Sequence, residues 1–218
     1  MTSTTVTAAP AAVSTTRRLL AAGALAAPLF AVAVLAQAAA RDGFDLARHP
    51  ASVLATGDLG FLQVATFVAC GGLMLAYGAG ARRALRSGPG SVWAPRLLTV
   101  QGVGLTAAGV FRMDPVDGFP AGTPAGTPET FTWHAMVHNL AGSVTFLALV
   151  ATCFVLARRV GGRWGFAGRV CGTCFVAGLA WAFGGGTAGS LTLFLGCVAA
   201  WSWTCLTATR LETSGSPR

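Results

Sequence analysis

Six stretches of the chain run almost free of charge: Leu19 to Ala40, Leu59 to Ala81, Leu97 to Met113, His134 to Ala157, Val170 to Gly186 and Ala188 to Thr207. A helix needs about 20 apolar residues to cross hydrocarbon, so these stretches predict an all-α, polytopic bundle of six transmembrane helices. The third and fifth are short, and lengthen to Val92 and Phe166 if Arg96 and Arg169 snorkel to the interface. In the first, Leu19, Leu20, Leu25, Leu29, Phe30, Val32, Val34 and Leu35 together contribute roughly −2 to −5 kcal/mol, which favours insertion despite Gln37. The rival is a cleaved signal peptide, with Arg17 and Arg18 as its charged head and Ala36-Gln37-Ala38 as its cleavage site; the apolar stretch is longer than such peptides use.

Residues 1–16 read as a disordered tail, 17–210 as the transmembrane domain and 211–218 as a second tail. The longest connection, Arg112 to Thr132, repeats Ala-Gly-Thr-Pro between Ala121 and Pro128, which favours turns over helix. No stretch is left for a soluble domain, so function falls to the bundle or its loops.

Composition agrees. Of 218 residues 54% are apolar and 10% charged, against roughly 25% charged in soluble domains. The net charge of +8 is carried by arginine alone, placed at the ends of apolar runs. That is a topology signal, and it argues against a nucleic-acid partner in favour of membrane lipids. With the N-terminus cytoplasmic, Arg17, Arg18, Arg82, Arg83, Arg86, Arg96, Arg158, Arg159, Arg163, Arg169, Arg210 and Arg218 lie inside, and only Arg41, Arg48 and Arg112 outside. The positive-inside rule then places both termini in the cytoplasm of a cell-membrane protein. Asp42, Asp45, Asp58, Asp114, Asp117 and Glu129 face outward.

Candidate chemistry gathers at that outer side. His134 and His138 lie four residues apart on the fourth helix, about 40° apart around it, where two imidazoles can bind one metal. A third ligand would come from Asp58 or Asp114. The alternative for both histidines is a hydrogen bond to a neighbouring helix. Haem is disfavoured, because His134 and His138 share a helix and His49 sits before Pro50 in a loop. Asp58 and Gln63 open the second helix; Arg112 and Asp114 follow the third, and ionisable groups near hydrocarbon lower their cost by pairing. Asp58, Gln63, Arg112, Asp114, His134 and His138 are thus expected to form an outward-facing polar cluster, with Asp114 partnering His138. The six cysteines, Cys171 and Cys174 included, are expected to be free thiols packed as small apolar groups. Gly168 with Gly172, and Gly102 with Thr106, are spaced for close helix contact.

Several short motifs resemble the bacterial and archaeal membrane family called domain of unknown function 998 (DUF998). They are Arg48-His49-Pro50, Ser52, Gly57, Leu59-Gly60-Phe61-Leu62-Gln63, Phe67, Arg82-Arg83-Ala84-Leu85, Gly109-Val110-Phe111, Asp114-Pro115, Gly118-Phe119-Pro120, His138 and Gly142. The resemblance spans about Leu19 to Thr207 and implies a helical membrane protein of five to seven spans. It transfers no catalytic role.

The leading expectation is a non-enzymatic integral membrane protein without a cofactor, serving as a ligand-sensing, transport-accessory or assembly component. The alternative is an intramembrane hydrolase acting at the outer leaflet, in which His134, His138 and Asp58 hold a divalent metal such as zinc and a metal-bound water attacks. A transporter is disfavoured because the deepest polar side chains, Gln63, Thr66, Gln101, Thr106 and Thr145, are all neutral.

Overall fold

The computed structural model describes residues 10–213. Six long helices follow one another: α1 (Pro10–Ala40), α2 (Gly60–Ala84), α3 (Trp93–Val110), α4 (Trp133–Val160), α5 (Gly162–Phe183) and α6 (Gly189–Thr213). A single 3-10 turn, Ala51–Ala55, precedes α2, and no strand forms among the described residues. Each helix packs antiparallel on the next, and α6 returns against α1, so the six close into a ring. One end carries the α1–α2, α3–α4 and α5–α6 connections and is called the loop end. The other carries the start of α1 and the end of α6 and is called the terminal end.

Among the described residues five helices are long and apolar enough to cross a membrane, and the protein is a multi-pass membrane protein. The third predicted span falls short of that standard. Helix α3 has only 18 residues, includes Pro95, Arg96 and Gln101, and stops at Val110, three residues before the expected Met113. Helix α5 begins at Gly162 rather than Val170, directly after Gly161 turns the chain with φ of 61°. Pro10 to Thr16, expected as tail, continues α1, and Leu211 to Thr213 continues α6. The remainder of both expected tails, 1–9 and 214–218, lies outside the described residues.

Small residues let the helices meet. A Cβ on Gly102 would stand 2.8 Å from the Gly71 carbonyl oxygen, and one on Gly172 would stand 3.0 Å from Cys153 Cβ. Lipid offers helices no hydrophobic drive to associate, so such close backbone contact supplies the attraction. Hydroxyls are satisfied within their own helices: Thr106 donates to the Gly102 carbonyl, Thr145 to Ala141 and Thr152 to Ala148. Gln101 reaches across to the Thr152 hydroxyl at 2.9 Å, joining α3 to α4.

Toward the terminal end α6 becomes central. Tyr77 donates to the Thr204 carbonyl at 3.0 Å, Cys153 to the Ala200 carbonyl at 3.8 Å, and the Trp201 indole N–H to Met74 sulfur at 3.2 Å. Nearer the loop end Phe30 packs among Phe67, Phe194 and Trp201 with centroids 5.4 to 6.4 Å away. All six cysteines are free.

Candidate functional site

Of the six side chains expected to converge at the loop end, Gln63, Asp114, His134 and His138 each have a different neighbour. His138 is buried, and its Nδ1 lies 2.9 Å from both the Ala108 and the Phe111 carbonyl oxygens. Since a carbonyl only accepts, Nδ1 carries the proton and donates to the end of α3, where helical carbonyls lack partners. The ring edge also meets Phe67 of α2. Asp114, the expected partner of His138, instead accepts from the Thr132 backbone N–H and hydroxyl, each at 2.7 Å. Thr132 in turn caps α4 by accepting from the Ala135 N–H, so Asp114 fixes the helix start.

His134 is exposed, and its ring lies tilted beside those of Trp133 and Phe111. Arg112 is exposed and makes no ion pair with Asp58 or Asp114. Gln63 is fully buried and accepts from Gln37 Nε2 at 2.8 Å, while Gln37 also donates to the Ala33 carbonyl. The Gln37 Oε1 and Gln63 Nε2 atoms of this pair are left without protein partners. Among the described residues no three His, Cys, Asp or Glu side chains gather as metal ligands. Because no third ligand joins His134 and His138 among the described residues, this donor set does not fit the zinc centre of the alternative expectation.

What the loop end does build is a cap from the α1–α2 and α3–α4 connections. Arg48 pairs with Asp117 at 2.9 Å and also donates to the Asp117 carbonyl. His49, 1% exposed, accepts the Asp45 N–H at Nδ1, so Nε2 carries the proton and donates to the Asp117 carbonyl at 3.0 Å. Asp117 has φ of 49°, a conformation Asp adopts more readily than most residues, and its carboxylate accepts the Gly126 N–H at 2.9 Å. The Asp117 N–H donates to the Gly126 carbonyl, and Gly118 to Pro124, so the doubled Ala-Gly-Thr-Pro segment folds back onto Asp117. The Gly126 hydrogen bond, helped by Arg48, holds the Asp117 carboxyl below its ordinary pKa.

Phe119 seals the cap from above. It is nearly buried, meets Phe44 edge-on at 5.2 Å and lies 5.7 Å from the His49 ring. The Arg41 guanidinium sits 4.6 Å from the Phe119 centroid while donating to the Leu54 and Thr56 carbonyls. Burial lowers the Arg41 pKa, and Asp58 works against that. Ser190, at the start of α6, ties in by donating to the Arg48 carbonyl. Beside the cap a shallow pocket of ≈ 260 Å³ is lined by Arg41, Asp42, Asp58, Leu59, Phe119 and Pro120.

Arg48, His49, Asp117, Phe119 and Gln37 were absent from the expected cluster. The signal that could have found Arg48, His49 and Phe119 is motif pairing. Arg48-His49-Pro50 and Gly118-Phe119-Pro120 both stand out as short motifs in the sequence, and in the fold their His49 and Phe119 rings lie 5.7 Å apart.

No curated protein and no solved structure matches the chain. A family model described as protein of unknown function (DUF998) matches residues 24–210, from within α1 to the last turn of α6. The chain therefore belongs to the DUF998 family.

Proposed function

We propose that the protein is a non-enzymatic, multi-pass component of the cell membrane whose cap faces outward and acts as a ligand-sensing surface. The observation that carries this is the division of labour at the loop end. Arg48, His49, Asp114, Asp117 and His138 hold loops and helix ends through named hydrogen bonds, while Asp42 and Asp58 stand exposed at a pocket rim. A rigid frame beside exposed charge suits recognition, because little ordering entropy is lost on binding. The arginine distribution supports the orientation, since eleven of the fourteen arginines among the described residues fall on the terminal side of the bundle.

The test uses intact cells and a background with the native cysteines replaced. Ala125→Cys in the cap should react with an impermeant thiol reagent, whereas Ser87→Cys at the terminal end should resist it. The reverse pattern overturns the orientation. Stoichiometric zinc in the purified protein, with hydrolysis lost on its removal, overturns the non-enzymatic reading in favour of the hydrolase.

A further inference from the structure

His49 sits inside the loop-end cap, 1% exposed, with its ring held at both nitrogens. Nδ1 accepts the Asp45 N–H at 2.9 Å, and Nε2 donates to the Asp117 carbonyl at 3.0 Å. The Asp45 carbonyl accepts the Arg48 and His49 N–H groups in return, so the ring closes the turn from Asp45 to His49 from within. Phe44 and Phe119 lie against it, their centroids 5.4 and 5.7 Å away. One ring nitrogen accepting while the other donates is a pattern only the neutral imidazole can make.

A proton added to the ring goes to Nδ1, where it meets the Asp45 N–H across 2.9 Å. Two donors then face each other with no acceptor between them, so the charged ring cannot keep the present arrangement. Acceptors for it stand close by. On the α3–α4 connection the Asp117 carboxylate lies 4.0 Å from Nε2. Within the ring's own turn is the Asp45 carboxylate, which accepts the Ala47 N–H at 2.8 Å. Of the neighbouring cations, Arg48 pairs with Asp117 at 2.9 Å and Arg41 lies against Phe119. Asp42 and Asp58 reach the cap at the pocket that Phe119 also lines, and α6 contributes the neutral Ser190, which donates to the Arg48 carbonyl. Proton uptake thus turns the ring from backbone partners toward carboxylates, in competition with Arg48 for Asp117.

We propose that His49 is a proton-operated latch of the cap: neutral, it closes the Asp45–His49 turn against Asp117, and protonated, it releases the Asp45 amide and opens that turn. Imidazole is the side chain that changes charge between about pH 5 and 8. Asp117, whose carboxyl is held below its ordinary range by the Gly126 hydrogen bond, stays ionised across that interval, so the ring changes charge and its partner does not. The latch goes beyond the reading of the cap as a recognition surface. It stands on the loop-end geometry alone and operates whichever side of the membrane the cap faces.

The test is nuclear magnetic resonance of the full chain in detergent micelles, taken from about pH 8 to about pH 5. Nitrogen shifts of the His49 ring report its protonation, and hydrogen exchange, corrected for its intrinsic pH dependence, reports protection of the Asp45 amide. Protection should fall about tenfold, with the midpoint of the ring titration, while the Gly161 amide at the terminal end keeps its own. In His49→Gln, whose amide both donates and accepts but takes up no proton, Asp45 protection should be independent of pH. If that variant does not fold, the coincidence of the two midpoints in the parent decides. A ring that stays neutral down to pH 5 overturns the latch, as does a ring that charges while Asp45 protection is unchanged. Loss of protection that persists in His49→Gln, or an equal loss at Gly161, overturns it too. None of these outcomes bears on the orientation of the cap, which the labelling of Ser87→Cys decides.

Discussion

Replacing His138 with leucine tests whether the most conspicuous polar side chain of α4 is a clamp or a ligand. The change keeps an apolar side chain in the site but removes the only donor to two carbonyls, Ala108 and Phe111, at the end of α3. The lost hydrogen bond is worth about 1 kcal/mol net, and a buried carbonyl left bare costs about 1–3 kcal/mol more. Phe111 lies at the loop edge, half-buried, and is open to hydration, so only the Ala108 carbonyl carries the full penalty. The expected destabilisation is about 2–4 kcal/mol. At about 2–4 °C per kcal/mol for a chain of this size, Tm in micelles falls by roughly 4–16 °C. Asparagine places an amide N–H where Nδ1 stood, so His138→Asn should recover at least half of the loss. Circular dichroism, or exposure of buried Cys70 and Cys153 to a thiol dye during heating, reads the transition. A leucine variant within 1 °C of the parent, or an asparagine variant no better than leucine, refutes the clamp.

Three further outcomes follow from the geometry. Asp117 has a lowered folded pKa, so its contribution to the cap is fully present above the unfolded value of 3.8 and is lost as pH falls through the lower folded value. The Gly126 amide resonance in micelles should therefore titrate below 3.8, and a midpoint above it contradicts the assignment. Gly104→Val should abolish folding or cost more than about 3 kcal/mol, because its Cβ would overlap the Thr145 hydroxyl, whereas Gly142→Ala, with open space around it, should stay within about 0.5 kcal/mol. Equal stability of the two variants in urea would rule out close α3–α4 contact as the cause. Finally, intact mass with and without reductant should report six free thiols, and a mass loss of one disulfide would contradict the packing role of the cysteines.

How far the fold could be read depended on whether a property is local. Apolar runs announce lipid contact, and the helices α1, α2, α4 and α6 cover the stretches expected of them except for Leu59 and Ala188, which each stand one residue before their helix. Their ends were less legible, because charge stops a hydrophobic run without stopping a helix. Arg163 and Arg169 interrupt the apolar pattern of α5, yet the helix runs through both, and the break comes instead at Gly161 and Gly162 with their positive φ. The site was less legible still. Depth along a helix placed Asp58, Arg112, Asp114 and His138 at one end of the bundle, but depth does not choose partners. Asp114 found Thr132, 18 positions away, and Arg48 found Asp117, 69 positions away. Such pairings depend on how two irregular loops fold against each other, which no periodicity encodes. Gln37 was counted as a cost to inserting α1; its partner Gln63 turns that cost into a specific contact between α1 and α2.

The central position of α6 bears on how the molecule is made. Helices leave the ribosome in order, so α1 to α5 enter the bilayer before α6 exists. Until then the Tyr77 hydroxyl and the Cys153 thiol lack the Thr204 and Ala200 carbonyls that receive them, and Met74 lacks the Trp201 indole. Without α6 the five preceding helices would leave these groups along an unclosed polar seam. A chain arrested before Gly189 would present that seam to lipid, where unpaired polar groups are costly.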